Sequence, residues 1–145
     1  MSRLLVEKSF KASVGEVWET IKAFKHPEHF MPFVESSETE GDGVGMRRTM
    51  KFRDGSHAIE KLHKIDENER YILYKLIYSP LPVNEYMARV KLRHDGEGTV
   101  QVTWESRFNI LPDNSSEEIE NQLKATYNLS IEGLERLHSG SMLSA

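Results

Sequence analysis

Apolar residues recur along this chain with two different periods, and the order in which the periods change predicts the architecture. Leu4, Val6 and Phe10 fall on one side of an alternating stretch, which predicts a first strand over Leu4 to Phe10. Val14, Val17, Trp18, Ile21 and Phe24 then follow at helical spacing, so Ser13 to about Phe24 reads as an amphipathic helix. Ser13 with Glu16 three positions later is a capping box. His26-Pro27 closes the segment, because the residue before a proline avoids the helical region. Glu28 to Met31 has room for one further short turn.

From Phe33 to Phe108 the chain reads as strand and turn. The strands are Phe33 to Thr39, Met46 to Phe52, His57 to Ile65, Tyr71 to Tyr78, Asn84 to Arg93 and Thr99 to Asn109. Their separators, such as Gly41-Asp42-Gly43, Asp54-Gly55 and Asp95-Gly96, are short and polar, which marks antiparallel hairpins rather than parallel crossovers. A second capping box, Ser115 with Glu118, opens a long helix from about Ser116 to Leu137. Its stripe is Ile119, Leu123, Tyr127, Ile131, Leu134 and Leu137. Gly133 lies within that helix at a cost of about 1 kcal/mol against alanine, tolerable where a close partner needs the space. Ser139-Gly140-Ser141 is expected to break the helix, giving one domain over 1–138 and a flexible tail over 139–145.

The totals narrow the function classes. A chain of 145 residues with 38% hydrophobic and 29% charged residues is one globular domain that buries about two thirds of its unfolded surface. A formal charge of -4 argues against a nucleic-acid partner. Without cysteine there is neither a disulfide nor a thiolate metal site, which fits a cytoplasmic location. The apolar run in the first ten residues is too short for a signal peptide or for membrane insertion.

Strand, helix, short turn, six strands and long helix is the order of the helix-grip fold, the superfamily of START lipid-transfer domains, birch-pollen allergens, polyketide cyclases and abscisic acid receptors. Locally, Arg53-Asp54-Gly55-Ser56-His57 with Glu60, Leu62 and Ile65-Asp66 resembles the bacterial polyketide cyclase and lipid-transport group, nearest to its MxaD-like set. Tyr78-Ser79-Pro80-Leu81-Pro82-Val83 followed by Tyr86 resembles it too. The resemblance covers Leu4 to about Leu137. It implies an α+β fold in which a curved seven-stranded antiparallel sheet wraps the C-terminal helix, with one or two short helices after the first strand. The gap between sheet and helix would hold a small hydrophobic or amphipathic ligand.

Similarity to the hormone receptors implies that Glu60, Tyr86 and Glu105 are inward polar positions, with Ser130 on the last helix. The loops Arg53 to His57 and Ser79 to Val83 would form the cavity mouth. Three departures argue for a different ligand. The first loop is polar where the receptors carry Gly-Leu-Pro, Leu81 replaces a histidine, and Met31 offers no basic anchor.

Alternation assigns further inward residues without the resemblance. If Glu60 points in, so do Ala58 and Leu62, while Lys61 and His63 face water. Ile59 on the outer face is then a small blemish. Arg48, Met50 and Phe52 share the inner face, as do Ile72, Tyr74 and Leu76, and Tyr86, Ala88, Val90 and Leu92. With Leu123 and Tyr127 from the helix, this makes an apolar pocket with few polar groups.

Glu60 and Glu105 are the candidate acid–base groups, with Tyr74 or Tyr86 as helpers in a cyclase- or dehydratase-type enzyme. Equally, Arg48 and either glutamate could pair across the sheet, or the carboxylates could hold waters that orient a ligand. A protein-interaction module, as in the chaperone-activating and coenzyme-Q-associated branches, is the third option. Ligand binding without turnover is the leading one, by a monomer or weak homodimer. No cofactor is expected. No metal site is expected either, because His26 and His29 beside Glu28 lack a further donor at motif spacing. Gly41-Asp42-Gly43-Val44-Gly45 joins two strands and does not lead into a helix, so it is a turn and not a phosphate cradle. Trp18 and Trp104 read as packing residues.

Overall fold

The computed structural model describes residues 1–143. Strand β1 (Ser2–Lys11) leads into helix α1 (Val14–Ala23) and a 3-10 turn (Pro27–His29). Strands β2 (Val34–Glu40), β3 (Arg47–Phe52), β4 (His57–Asp66), β5 (Tyr71–Tyr78), β6 (Val83–His94) and β7 (Thr99–Ile110) follow, and helix α2 (Ser116–Leu143) ends the chain. All seven strands form one antiparallel sheet in the order β1-β7-β6-β5-β4-β3-β2, so the first strand closes against the last. α2 packs on β1, β7 and α1.

Both capping serines behave as their spacing predicts. The Ser13 and Ser115 hydroxyls each accept from the backbone N–H three residues on, at 3.3 Å. α1 stops sooner than expected. Phe24 adopts a left-handed conformation (φ 58°) and returns its N–H to the Ile21 carbonyl. The ring thereby leaves the helix stripe and enters the core, where it is 1% exposed.

At its other end α2 continues through Ser139-Gly140-Ser141 to Leu143 instead of breaking there. Glycine and serine weaken a helix, but neither removes a backbone donor as proline does. Ser144 and Ala145, the end of the expected tail, lie outside the described residues.

The sheet is bent by register shifts. They fall between Val34 and Ser36, between Ile59 and Glu60, between Leu62 and Lys64, and between Asn84 and Met87. Each extra residue kinks its strand and increases the local twist. At Ile59 the extra residue is Ile77 on β5, so β4 keeps its alternation through Ala58, Glu60 and Leu62. Curvature of this kind wraps a sheet around a helix while leaving its mouth end apart from it.

Gly133 is the point of closest approach. A Cβ added there would sit 1.6 Å from the Phe30 carbonyl oxygen, so only glycine lets α2 press onto the segment after the 3-10 turn.

Candidate functional site

Between the concave face of the sheet and α2 lies a cavity of about 770 Å³. Its floor is built from β4, β5, β6 and β7. Glu60 reaches it because β4 alternates Ala58, Glu60 and Leu62 inward. Arg48 stands directly opposite Glu60 in the β3–β4 register. Its Nε donates to Glu60 Oε1 at 2.8 Å, and a terminal nitrogen lies 2.7 Å from the same oxygen. The two side chains are only 4% and 9% exposed. Both contacts fall on Oε1, so neither uses Oε2.

The guanidinium also lies over the Phe24 ring, 3.9 Å from its centre, which places a cation on the face of an aromatic ring. A buried charge pair of this kind stabilises little against an apolar pair of equal volume, yet removing one partner strands the other.

Around the carboxylate runs a set of buried aromatic donors. Trp104 Nε1 donates to the Tyr74 hydroxyl at 3.1 Å. Tyr127 donates to Ser106 Oγ at 2.6 Å, and the Tyr86 and Tyr127 hydroxyls are 2.5 Å apart. Because Tyr127 spends its single proton on Ser106, the proton between the two phenols belongs to Tyr86. The bond from Trp104 does not use Tyr74's own proton.

Burial pushes the Tyr74 phenol well up, and the Glu60 charge adds to that. Tyr86 is raised likewise, by burial and then by its phenol neighbours. Burial takes Tyr127 to about 12. At neutral pH all three are therefore protonated donors and none is a base.

Most of the residues assigned inward, whether by strand alternation, by the helix stripe or by the resemblance, converge here. Met50, Phe52, Ala58, Glu60, Tyr74, Leu76, Tyr86, Leu123, Tyr127 and Ser130 line the cavity. Arg48 stands behind Glu60 and is not on the wall. Leu62 and Ala88 are buried in the core rather than on this surface. Ser130 returns its hydroxyl proton to the Thr126 carbonyl at 2.8 Å, so it offers the cavity an acceptor only.

Glu105 corrects the sequence reading. It lies on the outer face of β7, paired with Arg89 of β6. Its neighbours Trp104 and Ser106 are the buried ones, at 2% and 6% exposure. A period of two cannot place adjacent residues on the same face, so Trp104 facing inward turns Glu105 out.

The wall also includes Met31, Phe33, Trp104, Gln122 and Thr126, which pattern reading did not single out. Trp104 was legible, since it alternates with Val102 and Phe108. Gln122 and Thr126 flank Leu123 and Tyr127 on the same helix face. Met31 and Phe33 surround Pro32 in an irregular stretch with no period to read.

At the mouth, Arg53, Asp54, Ser56 and the run Ser79 to Pro82 border the opening. Asp54 Oδ1 accepts from the Ser56 N–H and hydroxyl at 2.9 and 2.6 Å, and Arg53 Nε donates to the Pro32 carbonyl at 2.8 Å. These bonds brace the first loop against the cavity wall.

Comparison with known proteins agrees with this geometry. The family model described as "Polyketide cyclase / dehydrase and lipid transport" matches residues 1–138. The XoxI protein of Bacillus cereus, in line with the MxaD-like resemblance, is 25% identical with a TM-score of 0.86, covering 95% of this chain and 96% of that one. Major latex-like protein 151 of Panax ginseng is 20% identical with a TM-score of 0.81, over 94% and 97% of the two chains. Norcoclaurine synthase of Thalictrum flavum, solved with dopamine and hydroxybenzaldehyde, is 20% identical with a TM-score of 0.75, over 94% and 85%. The architecture is the helix-grip fold. Among the described residues no helix is long and apolar enough to cross a membrane.

Proposed function

The chain belongs to the polyketide cyclase / dehydrase and lipid transport family, and from that premise we propose that it binds a small, uncharged, amphipathic molecule carrying a hydroxyl group. The observation that carries this reading is the floor of the cavity. It combines an acceptor, Glu60, with a donor, the Tyr74 hydroxyl, inside an otherwise aromatic and aliphatic wall. A hydroxyl both donates and accepts, so it satisfies the two at once. A ligand carboxylate at the floor would instead meet the Glu60 carboxylate, where the adjacent cation Arg48 is already engaged and the other cation of the lining, Arg53, stands out at the mouth. The volume, about 770 Å³, is of the size that encloses a drug-sized molecule.

Binding without turnover is favoured over cyclase or dehydratase chemistry. The phenols proposed as helpers are held protonated by burial, and Glu60 is committed to an arginine. The phenols therefore offer protons but no base, and the Arg48 contact holds Glu60 in one orientation.

Native mass spectrometry of freshly purified protein, followed by extraction, should find a neutral hydroxylated adduct at one per chain. The neutral dye Nile red should bind the emptied cavity and be excluded by Leu123→Trp, which fills it. A wild-type protein that takes up neither adduct nor dye, or a Leu123→Trp protein that binds dye as well as wild type, would refute the assignment.

A further inference from the structure

We propose that His26, Glu28 and His29 form a binding site for a divalent transition-metal ion of the zinc class. The three residues lie within the short run His26-Pro27-Glu28-His29. His26 is the left-handed N-cap (φ 52°) of the 3-10 turn Pro27–His29, and His29 is the last residue of that turn. The His26 and His29 rings stack, with centres 5.1 Å apart and planes 14° from parallel. Glu28 comes round to the same side, and one donor atom from each of the three lies within 4.8 Å of the others. Among the described residues the protein supplies these three donors, two imidazoles and the carboxylate between them.

The carboxylate is held in place from outside the turn. Ser37 of β2 donates its hydroxyl to Glu28 Oε1 at 2.5 Å, which leaves Oε2 facing His26 Nδ1 at 3.3 Å. Such a bond to the distal oxygen is how ligating carboxylates are usually oriented. The backbone is fixed too. His26 sits at φ 52° ahead of Pro27, and the Pro27 carbonyl accepts from Met31 N at 2.7 Å.

A simple histidine–glutamate ion pair would need one imidazole. The second, stacked on the first, has no part in it. Two imidazoles and a carboxylate suit zinc, nickel or copper rather than magnesium or calcium, and leave a fourth position for water. Donor atoms on a tetrahedral zinc are about 3.3 Å apart for bonds of about 2.0–2.1 Å. Closing from 4.8 Å asks for a modest movement of the exposed His26 ring. An ion there would tie the turn to β2 just ahead of Met31 and Phe33, which carry it into the cavity wall.

The test uses the untagged full-length chain titrated with cobalt(II), followed by its visible ligand-field absorption and competed with zinc. One ion per chain should bind. His29→Ala and Glu28→Gln should each weaken binding about tenfold or more, and Ser37→Ala by about tenfold. His63→Ala, an exposed histidine elsewhere on β4, should leave the affinity unchanged. Zinc should raise the thermal midpoint of the wild type but not of His29→Ala. Absence of one-to-one binding, or a His63→Ala effect equal to that of His29→Ala, would overturn the site.

Discussion

Gly133→Ala is the substitution whose sign separates local from tertiary control in this fold. On an isolated helix it would stabilise α2 by about 1 kcal/mol, because alanine is the best helix former and glycine among the worst. Here the new methyl would lie 1.6 Å from the Phe30 carbonyl oxygen and 2.6 Å from its carbon. Ordinary contact begins near 3.4 Å, so helix and segment must separate by well over an ångström. The obstacle is backbone, which cannot rotate aside as a side chain would. Overpacking of this sort costs about 1–3 kcal/mol and sometimes more. The displaced segment also runs into Met31 and Phe33, so cavity contacts are lost with it.

We expect a net loss of about 2 kcal/mol, read as a lower urea midpoint at unchanged slope, and a fall in melting temperature of about 4–8 °C for a chain of this size. Nile red affinity should fall as well. A Gly133→Ala protein as stable as wild type, or more so, would show that α2 does not press on Phe30 as described.

Three further outcomes follow from the site and the caps. Arg48→Met leaves Glu60 buried without its partner and should cost about 3–5 kcal/mol, whereas Arg48→Met with Glu60→Leu should recover most of it; equal losses in single and double variants, by urea unfolding, would deny the pairing. Tyr127, taken to about 12 from an ordinary value near 10, is stabilising in its neutral form. That contribution is complete below about pH 10 and is lost as pH rises towards 12, as for Tyr74 and Tyr86. Urea midpoints should therefore fall steeply over that interval, less so in Tyr127→Phe, and a flat profile would contradict the burial of these phenols. Ser115→Ala removes the hydroxyl that accepts from Glu118 N and should lower stability by about 1 kcal/mol; an unchanged midpoint would mean that water serves that end of α2 equally well.

The fold was legible because its signals are local. Period changes mark the helices, polar turns separate the strands, and Ser13 and Ser115 cap where their spacing says they should. The inner face was legible for the same reason, since alternation along β4, β5 and β6 depends only on neighbouring residues. Glu105 was misplaced where likeness to distant relatives was set above that alternation; Val100, Val102, Trp104 and Phe108 already pointed its side chain outward. Met31 and Phe33 had no period to give them away, because their position is set by the contact between Gly133 and Phe30, more than a hundred residues apart in the chain. The grouping of His26, Glu28 and His29 was visible in the sequence, but its geometry was not. It depends on a left-handed His26 capping a three-residue turn, and motif spacings for α-helices do not describe that.

The Arg48–Glu60 pair is the feature that stability alone does not account for. An apolar pair at the same two positions would fill the space and avoid the desolvation of two charges. The neighbouring inward positions, Met50, Ala58 and Leu62, are all apolar and fully compatible with such a replacement. The pair instead puts Glu60 on the cavity surface, with Arg48 anchored behind it on Phe24. Arg48 holds one carboxylate oxygen and leaves the other uncommitted. A purely structural pair would be expected to use both oxygens, in the two-pronged geometry that arginine and carboxylate prefer. The one-sided contact supports a carboxylate oriented for something that enters the cavity. On that account Glu60→Gln, which keeps an acceptor oxygen, should retain more ligand affinity than Glu60→Leu, even if the two lose similar stability. The reverse order in a Nile red competition by the extracted molecule would remove Glu60 from the binding surface.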